Sequence, residues 1–346
     1  MLGGWVFKQC VRPDCLVVFW IAIHLLDRFW GRVDIALFPE RLEIAVVDCL
    51  IRRMVESDRQ SVAELICVST NYWYEQHGLE RIFPDGPESA DVFYQVYGAL
   101  EGSVGIVAEV GGRLAGSCFY HQRPTHVSLG IMNAHPNYFG RGVARRLLDH
   151  IIEVADGIGR PIRLVSSALN LDSFSLYTRA GFVPRCAYQD IALKVPEAGL
   201  EDQSPVVVRE AVLDDVGAIA TLEMDLCGIR REGDFRHFIT NPDGFWHVSV
   251  CEDDRGHVSG FLAASGGMLG PGVARSEEQT AALLLAELNR VRGNKVIFLL
   301  PVECAGLVRR VYGWGGRNCE LHLAQVRGEY RVCTGVNLPT FMPETG

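Results

Sequence analysis

The chain has 346 residues, of which 48% are hydrophobic and 22% charged, with a formal net charge of -9 and an isoelectric point near 5.6. That balance excludes an intrinsically disordered chain, which cannot bury a core, and argues against a nucleic-acid binder, which shows a basic face. The length suits two ordinary domains better than one.

Residues 1–45 read as an apolar extension. Its run "CLVVFWIAIHLL" (Cys15–Leu26) is shorter than the roughly 20 residues a membrane span needs. No small-x-small cleavage site comes after it. The extension is therefore expected to be dispensable, and no membrane partner is expected. The 11 cysteines include no C-x-x-C pair, so they read as reduced thiols of a cytoplasmic protein, with no metal site. Cys118 and Cys251 sit inside apolar runs and read as core filler.

From residue 46 the sequence repeats itself. "IRRMVESDRQSVAEL" (Ile51–Leu65) lies against "VREAVLDDVGAIATL" (Val208–Leu222), matching Arg52 to Arg209, Val55 to Val212, Asp58 to Asp215 and Leu65 to Leu222. Each copy predicts a short strand, an acidic helix start and a helix with apolar residues at helical spacing. "NYWYEQHG" (Asn71–Gly78) is expected to follow the first of these helices. Next, "GIVAEVGGRLAGSCFY" (Gly105–Tyr120) resembles "VSVCEDDRGHVSGFLA" (Val248–Ala263), with Gly116 opposite Gly260, and each predicts a hairpin. The breaker-rich stretch 196–205 separates the copies, giving one domain over 46–195 and a second over 206–346.

After the first hairpin come a β-prone stretch, Thr125–Pro136, and a helix from Gly142 to Ala155. A strand "RPIRLVSSAL", a helix "LDSFSLYTRAGF" and a strand "AYQDIALKV" come next. An antiparallel start with strand–helix–strand alternation at the end predicts an α/β (α+β) fold, a mixed and mostly antiparallel sheet flanked by helices.

Between strand and helix lies "FGRGVARR" (Phe139–Arg146). The first turn of a helix carries unpaired N–H groups and the positive end of the peptide dipoles, and glycines let an anion approach them closely. Gly140 and Gly142 supply that approach, and Arg141, Arg145 and Arg146 add positive charge. The loop is not a P-loop, because it lacks the Lys-Ser/Thr ending. Nor is it a dinucleotide fingerprint, because arginine stands at the third glycine position.

"NAHPNYFGRGVARRLLDHII" resembles the acetyl-CoA-binding motif of the GNAT superfamily of N-acetyltransferases. The family pattern Gln/Arg-x-x-Gly-x-Gly/Ala falls on Phe139, Gly142 and Ala144, with Phe139 departing from it. "NLDSFSLYTRAGF" (Asn170–Phe182) is similar to the family's N-x-x-A-x-x-x-Y-x-x-x-G-F segment, with Ser173 in the alanine place. With the repeat, the resemblance implies two GNAT-like domains and acetyl-CoA as co-substrate. It also implies transfer of acetyl by direct attack of an amine, carried by a small molecule or a peptide.

The resemblance further implies that main-chain groups of Phe139, Gly140, Arg141, Gly142, Val143 and Ala144 hold the diphosphate. Met132, Asn133 and Ala134 would pair with the pantetheine arm, and Asn170 would touch it. Tyr177 would lie near the sulfur as proton donor. Trp73 and Tyr74 would cradle the amine, with Glu75 as counter-charge. Glu75, His77 and His121 are the candidate bases, with a water chain as the alternative.

In the second copy, "ARSEEQTAALLL" (Ala274–Leu285) sets Glu278 and Thr280 opposite Gly142 and Ala144. Matching Gly313-Trp314 to Gly181-Phe182 sets Val302 opposite Asn170 and Arg309 opposite Tyr177. The second domain is therefore expected to be degenerate, keeping the fold, losing the coenzyme and completing an acceptor cleft or a homodimer surface. The alternative reading is a non-catalytic sensor that holds an acyl-CoA or an amine.

Overall fold

The computed structural model describes residues 48–201 and 204–339. The predicted apolar extension lies outside them. Among the described residues no helix is long and apolar enough to cross a membrane.

The first half runs β1 (Leu50–Arg53), α1 (Arg59–Gln76), α2 (Asp91–Ala99), β2 (Ser103–Val110), β3 (Arg113–Gln122), β4 (Val127–Ala134), α3 (Val143–Gly157), β5 (Ile162–Ser167), α4 (Leu171–Arg179) and β6 (Val183–Lys194). The second half runs β7 (Val208–Glu210), α5 (Val216–Cys227), α6 (Glu232–Thr240), β8 (Trp246–Glu252), β9 (Val258–Ser265), β10 (Met268–Ala274), α7 (Glu277–Arg290), β11 (Lys295–Pro301), α8 (Ala305–Gly313), β12 (Arg317–Arg327) and β13 (Val336–Leu338).

The predicted repeat extends to side chains. Arg52 donates to both oxygens of Asp58 at 2.6 and 2.8 Å and to Glu109 at 3.0 Å. Arg209 repeats the arrangement with Asp215 at 2.7 and 2.9 Å and with Glu252 at 2.8 Å. In each copy the aspartate also accepts the main-chain N–H of Val55 or Val212 at 2.8 Å, fixing the entry to the first helix. The hairpin glycines match as well. A Cβ on Gly116 would stand 3.0 Å from a Leu147 methyl, and one on Gly260 would stand 3.1 Å from a Leu283 methyl. Glycine at each position thus lets a helix seat closely on the sheet.

The sequence predicts a sheet for each copy; the chain builds one. Its strand order is β1-β2-β3-β4-β5-β12-β6-β11-β10-β9-β8-β7, with β13 on β10. The last long strand of each half has crossed over. β12 pairs antiparallel with β5, and β6 pairs antiparallel with β11. β6 and β12 also pair with each other at the centre. The exchange is reciprocal, and neither half completes its sheet alone.

Two further expectations change. Helix α1 continues to Gln76, so "NYWYEQ" forms its last turns instead of coming after it. Asn71 inside it is bonded to both main-chain groups of Phe83, at 2.9 and 3.0 Å, which holds the chain beyond the helix against its end. Not all cysteines are free thiols: Cys227 and Cys333 form a disulfide across 106 residues. Sequence spacing hid the pair because the carboxy-terminal segment folds back over α5, where Thr334 N–H bonds Leu226 O at 3.0 Å. Cys118 and Cys251 are fully buried among apolar neighbours, as predicted.

Candidate active site

Strands β4 and β5 are parallel neighbours only at their starts, where Val127 faces Ile162 and Ser128 faces Arg163. Beyond that they part. The cause is a bulge: between the pairs Cys118–Met132 and Tyr120–Leu129, β4 carries one residue more than β3. A bulge of this kind bends its strand and re-aims the residues beyond it. The result is a cleft of about 550 Å³ whose wall includes Met132, Asn133 and Ala134 on one side and Ser167, Asn170 and Ser173 on the other. That volume is in the range of small-molecule sites.

The glycine loop closes one end of the cleft. Gly140 and Gly142 have φ of +74° and +85°, which favours glycine, and a Cβ on either would project into open space. Helix α3 has no side-chain cap at Gly142, and the Arg146 N–H bonds Gly142 O at 3.0 Å. The N–H groups of Val143, Ala144 and Arg145 precede that bond and belong to residues that line the cleft. The loop therefore offers an uncapped helix start beside open space, which fits a diphosphate.

The cleft brings together Trp73, Tyr74, Met132, Asn133, Ala134, Phe139, Gly140, Gly142, Val143, Ala144 and Asn170 of the predicted set. Asn170 spends its side-chain oxygen on capping α4, accepting the Ser173 N–H at 3.0 Å. Arg141 does not line the cleft; its guanidinium lies 5.8 Å from the centre of the Tyr138 ring. Arg179 lines it and was not predicted. Glu75 is also outside, held by Arg81 at 2.5 Å on the exposed end of α1.

Of the other candidate bases, His77 bonds Trp73 O at 2.7 Å and stacks on the Trp73 ring. His121 is fully buried, 5.3 Å from the Tyr97 ring. Burial, with Arg123 and Arg231 nearby, holds its imidazole neutral far below the usual histidine range. Tyr177, expected near the sulfur, does not line the cleft: it lies one turn beyond Ser173 on the same side of α4, with its ring packed among core residues 5.7 Å from Phe182. Burial raises its phenol, and Cys118 adds to the rise, so the hydroxyl stays protonated.

Behind Ser167, and outside the residues that line the cleft, stand groups that sequence reasoning missed. Ser167 donates its hydroxyl to the carboxylate of Glu320 on β12. Glu320 stands directly opposite Asp190 of β6, and His322 opposite Ser167, so their side chains share one face of the sheet. Donor atoms of Asp190, Glu320 and His322 all lie within 4.8 Å of one another. Burial, reinforced by Asp190, raises Glu320 to about 7; burial raises Asp190 to about 6 and lowers His322 to about 4. Tyr74, in the cleft wall, is pushed up to about 12 by burial and then by Glu320 and Asp190. No local pattern in the sequence marks these residues as a group, because the crossed strands bring them together.

The second half has filled its own cleft. β10 repeats the bulge, between Leu269 and Gly272, but its re-aimed edge Gly272–Ala274 is paired with β13. Those three residues correspond to Met132, Asn133 and Ala134. The long loop 135–142 shrinks to residues 275–276, and Glu277 accepts the Leu307 N–H at 2.5 Å, reaching the start of α8. The predicted pairing downstream needs correction by two residues. Gly315, with φ of +97°, is the counterpart of Gly181 at +88°. Gly316 N–H bonds Val311 O as Phe182 N–H bonds Tyr177 O, both at 3.0 Å. Cys304 thus stands opposite Asn170 and Val311 opposite Tyr177, in place of Val302 and Arg309.

Comparison with known proteins agrees with this architecture. Residues 70–182 match the acetyltransferase (GNAT) family. A Pyrococcus horikoshii protein described provisionally as an acetyltransferase superposes with a TM-score of 0.67 at 15% identity, covering 88% of this chain and 99% of its own. A GCN5-related N-acetyltransferase from Sphaerobacter thermophilus gives 0.58 at 17% identity, covering 82% and 96%. A tandem GNAT protein from the clavulanic acid biosynthesis pathway gives 0.52 at 16% identity, covering 82% and 100%. No curated protein matches. The family match thus falls within the first half of the chain, and the described residues share the fold of a tandem GNAT protein.

Proposed function

We propose that the chain is an N-acetyltransferase that moves the acetyl group of acetyl-CoA to a primary amine by direct attack. The observation that carries this reading is the asymmetry between two equivalent clefts. The first is open, glycine-lined and uncapped, while the second is filled by β13 and Glu277. Main-chain N–H groups of Val143, Ala144 and Arg145 would hold the diphosphate. The parted edge Met132–Ala134 would pair with the pantetheine arm, as Gly272–Ala274 pair with β13. Bound there, the thioester supplies an activated acyl carbon.

The chain's residues then handle protons. The acceptor arrives as an ammonium and must lose one before it can attack. Tyr177, protonated and one turn below Ser173, is the donor for the departing thiolate. Trp73 and Tyr74 form the acceptor's aromatic wall. The protein would act as a cytoplasmic enzyme on a small molecule or peptide.

A second reading, a sensor that binds acyl-CoA without turning it over, draws support from the burial of the Tyr177 ring. Thiol release from acetyl-CoA in the presence of tyramine, spermidine and glucosamine separates the two. Turnover with any of them supports the enzyme; binding by calorimetry with no thiol release supports the sensor.

A further inference from the structure

We infer that Glu320, supplied by the second half, is the general base that deprotonates the acceptor ammonium, and that Asp190 is its positioning partner. The inference rests on the acetyltransferase reading and narrows the acceptor to a molecule that presents a primary ammonium group.

Several independent features place Glu320 in this role. Its carboxylate accepts from Ser167, a residue of the cleft wall. It lies on the face of the sheet opposite Ile162 and Leu164, which pack beneath α3 and α4, and therefore on the side where Trp73 and Tyr74 close the cleft. Neither Glu320 nor Asp190 is ion-paired among the described residues, although both are half-buried. One Asp190 oxygen is buried without a hydrogen-bond partner. Two half-buried carboxylates with no ion-pair partner, Lys295 acting on Asp190 without pairing with it, form a site complementary to an ammonium ion.

The proton balance is complete. Glu320 takes one proton from R–NH3+ to give R–NH2 and its own carboxylic acid. The amine nitrogen bonds to the acetyl carbon, the carbon–sulfur bond breaks, and the sulfur leaves with the bonding pair. The nitrogen's second proton ends on the thiolate, giving amide and free thiol, and Glu320 returns its proton to water. Glu320 is faced by Tyr74 of α1, Asp190 of β6 and His322 of its own strand, while Lys295 of β11 acts on Asp190. Burial, and then Asp190, raises the proton affinity of Glu320, which matches a base that works near neutral pH.

The test uses the full chain with acetyl-CoA and the same three amines. Glu320→Gln is expected to lower kcat by about 10²-fold or more. It should also abolish the rise of kcat/KM with pH expected of wild type around pH 7, while leaving calorimetric acetyl-CoA affinity within about twofold of wild type. Asp190→Asn is expected to keep activity at high pH but move that rise to lower pH, a shift that a merely structural role would not produce. A wild-type rate and pH profile in Glu320→Gln, or an unmoved profile in Asp190→Asn, overturns the inference alone. So does activity lost to EDTA and restored by zinc. Coenzyme binding by wild type without turnover of any amine overturns the acetyltransferase reading itself.

Discussion

Ser167, in the wall of the cleft, donates a hydrogen bond to Glu320, 153 positions away in sequence. One belongs to the fifth strand of the first half and the other to the last long strand of the second. The residues that line the open cleft come from the first copy, but the carboxylate that Ser167 bonds comes from the second. Loss of the glycine loop in the second copy did not make that copy superfluous, because its strand β12 closes the sheet beside β5.

A charged side chain in the glycine loop tests the coenzyme site most directly. Gly142→Glu would point a carboxylate into open cleft space beside the α3 N-terminus. Acetyl-CoA affinity is expected to fall about 100-fold or more, through like-charge repulsion and the strain of a side chain at positive φ. Isothermal calorimetry measures it, and unchanged affinity would remove the diphosphate from this loop.

The filled second cleft predicts a stoichiometry. Acetyl-CoA should saturate at one molecule per chain, because β13 occupies the edge Gly272–Ala274. Calorimetric titration reads this number, and two sites per chain would contradict the reading of β13 as a plug.

Tyr177→Phe removes one hydroxyl from a packed ring and should cost little stability. If that hydroxyl protonates the thiolate, kcat falls about 10²-fold with KM nearly unchanged. Steady-state kinetics on a variant with wild-type Tm decides; an unchanged kcat assigns Tyr177 to packing alone.

The paired motifs make a prediction about acid stability. Hydrogen bonds from Arg52 and Arg209 hold Asp58 and Asp215 below the usual carboxylate range. A depressed folded pKa contributes stability above the unfolded value of about 4, and that stability is lost as pH falls through the folded one. Asp58→Asn and Asp215→Asn should each cost about 1–2 kcal/mol near neutral pH and progressively less in acid. Urea denaturation across that pH range measures both, and equal losses at every pH would argue against the ion pairs as the cause.

The sequence announced most of the first cleft. Glycines at 140 and 142, the apolar periodicity after them and the Tyr177 segment fixed where strand, loop and helix fall, because each is a local signal. The duplication was equally legible, down to Arg52 and Arg209. Crossing of β6 and β12 was not, because strand pairing partners depend on which edges meet in space, and both strands read as ordinary members of their own half. Glu320 and Asp190 were missed for the same reason. Glu75 drew attention by lying beside Trp73 and Tyr74, but its place on α1 turns it to Arg81. The two-residue error at Gly313 arose because a Gly-Trp pair mimics Gly-Phe, whereas positive φ belongs to Gly315.

The reciprocal exchange also bears on synthesis. When the ribosome has delivered everything through β6, the strand that belongs between β5 and β6 has not yet been made. Those edges stay uncovered until β12 emerges. A nascent first half is thus held incomplete by its own topology, and its sheet closes only once β12 has been made and has paired with β5.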